Sequence, residues 1–279
     1  MRRAFGCLAF GICVFGSPAV FADVMVSSSL SLAPLQITAT GYTVQFSGVT
    51  ASAFTSVFDG LAGPCVATGA IFTGTCIGYD SESGAASASA SQGAASASGD
   101  ADATALTADA SSNVNIPGTL IDAAGTNNAG PYGDLSGTFE ILSSSSTPSP
   151  VTVNFSAPLT GIQTLFMDSY GVSAYSEVIF NLIVSGTFTT GFNVTTELFL
   201  DSPLSLSSAG SITNPISTTL SNSDSTLLTN TTYSFDAQVD AESMGANTPE
   251  PSFFILTAVG FAALLVTLRR RHRRQEFIG

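Results

Sequence analysis

The stretch LQITATGYTVQF, residues 35–46, alternates apolar and polar side chains on both sides of a single glycine. In extended backbone successive side chains point to opposite faces, so Leu35, Ile37 and Ala39 share one face while Gln36, Thr38 and Thr40 share the other. Gly41 breaks the alternation, and Tyr42, Val44 and Phe46 resume it. The reading is two short strands meeting at a turn. Working outward, similar runs rich in Thr, Val and Phe recur at 151–155, 177–184, 195–200 and 233–239, bounded by Gly, Pro, Ser or Asn. No window before residue 250 carries a convincing helical period. Many short strands of this kind predict an all-β, antiparallel, β-sandwich or jelly-roll-like domain over residues 23–240, with a short linker at 241–248.

One segment departs from the pattern. Residues 81–112 read SESGAASASASQGAASASGDADATALTADASS, with the near-repeat GAASASASQ and GAASASGDA. Such composition suits a flexible linker. Ala/Ser alternation also suits a long strand whose small-residue face lets another sheet approach closely, and we favour that reading. The cluster SSSSTPSP at 143–150 is expected to be a turn or hinge.

Charge is distributed unevenly along the 279 residues. The formal net charge is −13, from 20 acidic and 7 basic side chains. Every basic one is an arginine at a chain end: Arg2 and Arg3, then Arg269, Arg270, Arg271, Arg273 and Arg274. The one histidine, His272, sits in that terminal block, and all the acids except Glu276 lie between Asp23 and Glu250. Arg2 and Arg3, an apolar run from Ala4 to Phe15, a Gly-Ser-Pro break and Val20-Phe21-Ala22 read as a secretory signal peptide over residues 1–22. Cleavage is expected between Ala22 and Asp23, after export by the Sec route and signal peptidase. The run is too short to span a bilayer.

Export changes the meaning of the cysteines. Cys7 and Cys13 leave with the signal, so Cys65 and Cys76 remain and are expected to pair in an oxidising compartment.

The other end reads TPEPSFFILTAVGFAALLVTLRRRHRRQEFIG, residues 248–279. Phe253 to Leu268 is uncharged and would be about 24 Å long as a helix. It is apolar all round, which fits a transmembrane helix over 252–268 better than a core helix with a polar face. The arginines can snorkel to lengthen it, and they act as a cytoplasmic stop. Pro249, Glu250 and Pro251 hold the preceding backbone extended. Proline, glutamate, proline, a short apolar helix and an arginine cluster, over residues 249–274, resemble the PEP-CTERM sorting signal of Gram-negative bacteria. The residues after Arg274 are a small departure from it. That resemblance implies recognition by an exosortase, a membrane-embedded transpeptidase, which cuts near the motif. It also implies an inner-membrane precursor with its ectodomain outside, and a setting of exopolysaccharide and biofilm. A eukaryotic lipid-anchor signal would end apolar, and a Leu-Pro-x-Thr-Gly sortase element is absent.

Composition also excludes chemistry. Without His, Lys or Arg the ectodomain cannot build a Ser-His-Asp triad, a Schiff base or a guanidinium phosphate clamp. Its charge disfavours nucleic acid. A carboxylate-dependent glycan hydrolase needs two acids only, and Glu140, Asp168, Glu177, Glu197 and Asp201 are candidates. Calcium is a weak candidate cofactor at Asp100 and Asp102, with Asp109 nearby, although the spacing matches no known calcium loop; no other cofactor is expected. The leading expectation is a non-enzymatic envelope or matrix protein associated with exopolysaccharide. The alternatives are a glycan hydrolase and a plain single-span membrane-anchored surface protein.

Overall fold

The computed structural model describes residues 23–58, 64–68, 76–116, 126–169, 171–188 and 191–247. The signal segment to Ala22, the sorting motif, the transmembrane segment and the arginine cluster lie outside the described residues. Within them the chain is all β, with no helix.

Among the described residues fourteen strands form two antiparallel sheets. They are β1 (Val24–Leu32), β2 (Gln36–Ala39), β3 (Thr43–Phe58), β4 (Cys65–Ala67), β5 (Cys76–Glu82), β6 (Ala85–Gln92) and β7 (Ala95–Asp102). There follow β8 (Thr107–Ile116), β9 (Thr126–Leu142), β10 (Pro150–Met167), β11 (Gly171–Phe188), β12 (Gly191–Leu206), β13 (Gly210–Leu228) and β14 (Thr232–Asn247). One sheet runs β13-β10-β1-β8-β7-β6-β4, with β2 also pairing to β10; the other runs β12-β11-β14-β9-β3-β5. The sheets stack face to face, as a sandwich does, because alternation gives most strands one apolar face to bury. The two strands read around Gly41 are β2 and the start of β3, joined by a turn in which Gly41 has φ +83°.

Residues 81–112 are strand, but not one long strand. The near-repeat folds into a hairpin: β6 and β7 pair from Ala85↔Asp102 to Gln92↔Ala95 around Gly93, whose φ is +53°. β8 then pairs with β7. Ala86, Ala88, Ala90, Ala95, Ala97 and Ala101 point into the sandwich, and the serines point out. The close approach expected of a small-residue face is present. A Cβ on Gly99 of β7 would collide with the backbone oxygen of Tyr132, and one on Gly133 of β9 with that of Asp100.

The expected linker at 241–248 is corrected by β14, which continues through Asn247. Its last residues pair with β11 on one side and β9 on the other. Little hydrophobic alternation marks this segment; two neighbouring strands hold it instead. Residues 143–149 do form a turn, tied down by Asn230. The Asn230 side-chain oxygen accepts from the Ser143 N–H at 2.9 Å, and its amide donates to the Ser145 carbonyl.

The interior is layered. A large apolar cluster holds Leu30, Leu135, Phe139, Phe155, Phe180 and Tyr233; a smaller one holds Val24, Val26, Val57, Val114, Ile116, Leu165 and Met167. Between them runs a buried polar band. Ser28 Oγ lies 2.6 Å from Ser176 Oγ and 2.9 Å from Ser243 Oγ, and Ser112 Oγ is 2.7 Å from Ser243 Oγ. Gln163, fully buried, donates to Ser176 Oγ at 3.0 Å and to the Ser202 carbonyl at 2.8 Å, and accepts from the Asn214 amide at 3.0 Å. The first and last strands end at the same pole, where Gly245 lies against Val24.

Candidate functional site

Alternation leaves each sheet an outer face, and the two differ. On the larger sheet the register aligns hydroxyls across strands. Ser89, Ser98, Ser111 and Ser29 form one cross-strand row, and Ser91, Ser96, Asn113, Ser27 and Thr164 form the next. These rows line a trough of 490 Å³. Their hydroxyls partly satisfy one another, as in the 2.8 Å contact between Ser98 and Ser111. A third row places Asp100 directly opposite Asp109, between Ser87 and Ser31.

The outer face of the smaller sheet carries rings and acids. Tyr79 of β5 stands opposite Phe54 of β3, Phe54 opposite Tyr132 of β9, and Tyr132 opposite Asp240 of β14. Phe54 and Tyr132 are stacked, with ring centroids 5.1 Å apart and planes 17° from parallel. Beside them is a depression of 280 Å³ lined by Phe54, Ser56, Gly130, Tyr132, Asp240 and Glu242. A second depression, of 490 Å³, includes Asn181, Asp236 and Gln238. The outward residues of β14 run from one to the other.

Electrostatics here follow from crowding acids, with no Lys, Arg or His among the described residues. Burial, reinforced by the carboxylates of Glu242 and Glu177, pushes Asp240 up to about 6. Burial and the neighbouring Asp236 push Asp134 to about 6 as well. Asp134 Oδ2 accepts from Ser52 Oγ at 3.0 Å, while its Oδ1 is a buried acceptor with no donor. Protonation lets the Asp134 carboxyl donate toward Asp236. Burial also raises Tyr132, and burial together with a hydrogen bond to Glu177 lifts Tyr175 to about 12. Asn181 Oδ1 is another buried acceptor without a donor, in the same cross-strand row as Asp134 and Gln238.

Of the acids singled out from sequence, Glu177, Glu197 and Asp201 share this face. Glu177 lies directly opposite Glu242. Glu140 is further along β9, opposite Thr232. Asp168 is away from the group: its Oδ1 accepts from the Gly171 N–H at 3.2 Å, and its N–H donates to the Asp23 carbonyl at 3.1 Å. Asp240 and Glu242 were not among the sequence candidates, nor were the three rings. Their alternation within β3, β9 and β14 was the available signal, but only strand pairing joins them.

Asp102 is occupied in a turn, its Oδ1 accepting from the N–H groups of Thr104 at 2.8 Å and Ala105 at 3.0 Å. Among the described residues no three carboxylates converge as a metal ion would require. Cys65 and Cys76 form the expected disulfide, with Cα atoms 5.4 Å apart. It ties β4, at the edge of one sheet, to β5, at the edge of the other. Comparison with protein-family models, curated proteins and solved structures finds no match for this chain.

Proposed function

We propose that this is a non-enzymatic component of the cell envelope or extracellular matrix, exported, sorted by an exosortase-type enzyme and associated with exopolysaccharide. The observation that carries the reading is the order of elements at one end: Pro249-Glu250-Pro251, an apolar run and an arginine cluster. What supports it from the domain is a disulfide-linked sandwich with no basic side chain between Asp23 and Leu268. Disulfides persist outside the cytoplasm, and such a domain lacks most nucleophile–base pairs.

The test is intact mass of the protein from envelope and culture-supernatant fractions of producing cells. The expected species begins at Asp23 and ends near Glu250. A species that keeps Arg269 to Arg274 rejects sorting and leaves a single-span membrane protein.

A glycan hydrolase is the second reading. One observation favours it: Asp240, with its raised proton affinity, is close to Glu242 and Glu177, an acid beside carboxylates. Depolymerisation of the producer's own polysaccharide, abolished by Asp240→Asn, would establish it over the structural role.

A further inference from the structure

The file Tyr79, Phe54, Tyr132, Asp240 has the features of a contact surface for sugar rings. Adjacent strands are about 4.8 Å apart, so three rings in one cross-strand row extend for roughly 10 Å before the acid. Tyr79 is 53% exposed, although aromatic rings on this scale are usually buried. Sugar rings offer an apolar C–H face to stack on such rings and donor groups at their edges.

The acids narrow the choice among sugars. Asp240 and Glu242 line the depression beside the rings, and Asp134, Glu177 and Asp201 occupy the same face. Among the described residues no Lys, Arg or His stands near Asp240, Asp134, Glu177 or Asp201. Complementarity to these carboxylates asks for a partner that brings positive charge on hydrogen-bond donors. An ammonium group meets both demands, pairing with carboxylate and resting over an aromatic ring. Uronate-rich polymers and nucleic acid would be repelled.

We propose that the outer face of the six-stranded sheet, along Tyr79, Phe54, Tyr132 and Asp240, binds an amino-sugar polysaccharide that carries free ammonium groups. This names the polymer class for the matrix role proposed above and rests on that role for its setting. The two can fail separately, since tail processing is read by mass and polymer binding by titration.

The experiment uses the full-length chain in detergent, titrated calorimetrically with a glucosamine hexamer. Parallel arms use an N-acetylglucosamine hexamer and a lysine hexapeptide. Binding of the glucosamine hexamer is expected, with affinity lower by about tenfold or more for either control, the scale of one charged hydrogen bond. Asp240→Asn, which keeps shape, and Tyr79→Ser, at an exposed position, should each weaken binding about fivefold or more. Ser98→Ala, on the opposite sheet, should leave it unchanged. Equal affinity for the acetylated hexamer would overturn the charge requirement and with it the proposal. So would equal affinity for lysine hexapeptide, which would mean simple ion exchange, or indifference to both face variants.

Discussion

Gly99 and Gly133 stand where backbone of one sheet meets backbone of the other. Oxygen atoms of Tyr132 and Asp100 occupy the space their Cβ atoms would need, and neither oxygen is the end of a flexible side chain. Gly133→Ala is therefore expected to cost about 1–3 kcal/mol by overpacking, read as a lower urea midpoint. Asp134 offers a different test at the same scale. Its carboxyl holds a proton up to about 6 in the fold, above its ordinary 3.8. Between those values the native state binds more protons than the unfolded one, so stability falls as pH rises through that window. Melting temperature should thus be higher at pH 5 than at pH 7. Asp134→Asn should raise it at pH 7 and flatten the dependence, with Asp240 supplying the remainder. A profile that rises from pH 5 to pH 7 would contradict this assignment.

Strands owe their register to the polar band as much as to the apolar clusters. In β1 the inward order is Val24, Val26, Ser28, Leu30, Leu32, and Ser28 pairs across to Ser112 on one side and Gln163 on the other. A slip of two residues keeps apolar residues inside yet strands these hydroxyls against Leu or Val. Each unsatisfied buried group would then cost about 1–3 kcal/mol. Gln163→Leu removes the central member and leaves the Asn214 amide and the Ser176 hydroxyl short of partners. The expected loss is about 2–3 kcal/mol, measurable by denaturant unfolding; Gln163→Glu at low pH should recover part of it.

Much of this was readable at the level of elements. Alternation located β2, the start of β3 and parts of β10, β11, β12 and β14, and the Ala/Ser segment announced its own close-packed face, but β1, β4, β9 and β13 were not singled out. Strand ends were less visible: 177–184 grew into Gly171–Phe188 because β14 and β12 extend the pairing through sequence without hydrophobic contrast. Ser28, Ser112, Ser176 and Ser243 looked like ordinary polar residues, since a serine's burial depends on partners distant in sequence. The ring row was hidden for the same reason: Phe54, Tyr79 and Tyr132 come from three strands.

At the scale of the whole molecule, the described domain is held without a single basic side chain. Its long-range electrostatics are purely repulsive, so added salt should stabilise it by screening. The melting temperature at neutral pH is expected to rise by a few degrees between low ionic strength and 0.5 M sodium chloride; a fall would show that attractive pairs dominate. The edges are restrained by different means. Pro203 and Pro215 interrupt β12 and β13, each the outermost strand on its side, and deny a neighbouring chain a continuous row of donors.

The shared pole of Val24 and Gly245 has a mechanical consequence. A force applied to the chain at Asn247 would load a strand bonded along its length to β11 and to β9. Directed along the strand axis, such a force would meet both ladders in shear rather than open them one bond at a time. β9 also carries Tyr132. Tension between a polymer gripped at that ring and a force applied at Asn247 would pass from one strand to its neighbour within a single sheet. The interface between the sheets, with its small residues and hydroxyls, would stay outside the path of the load.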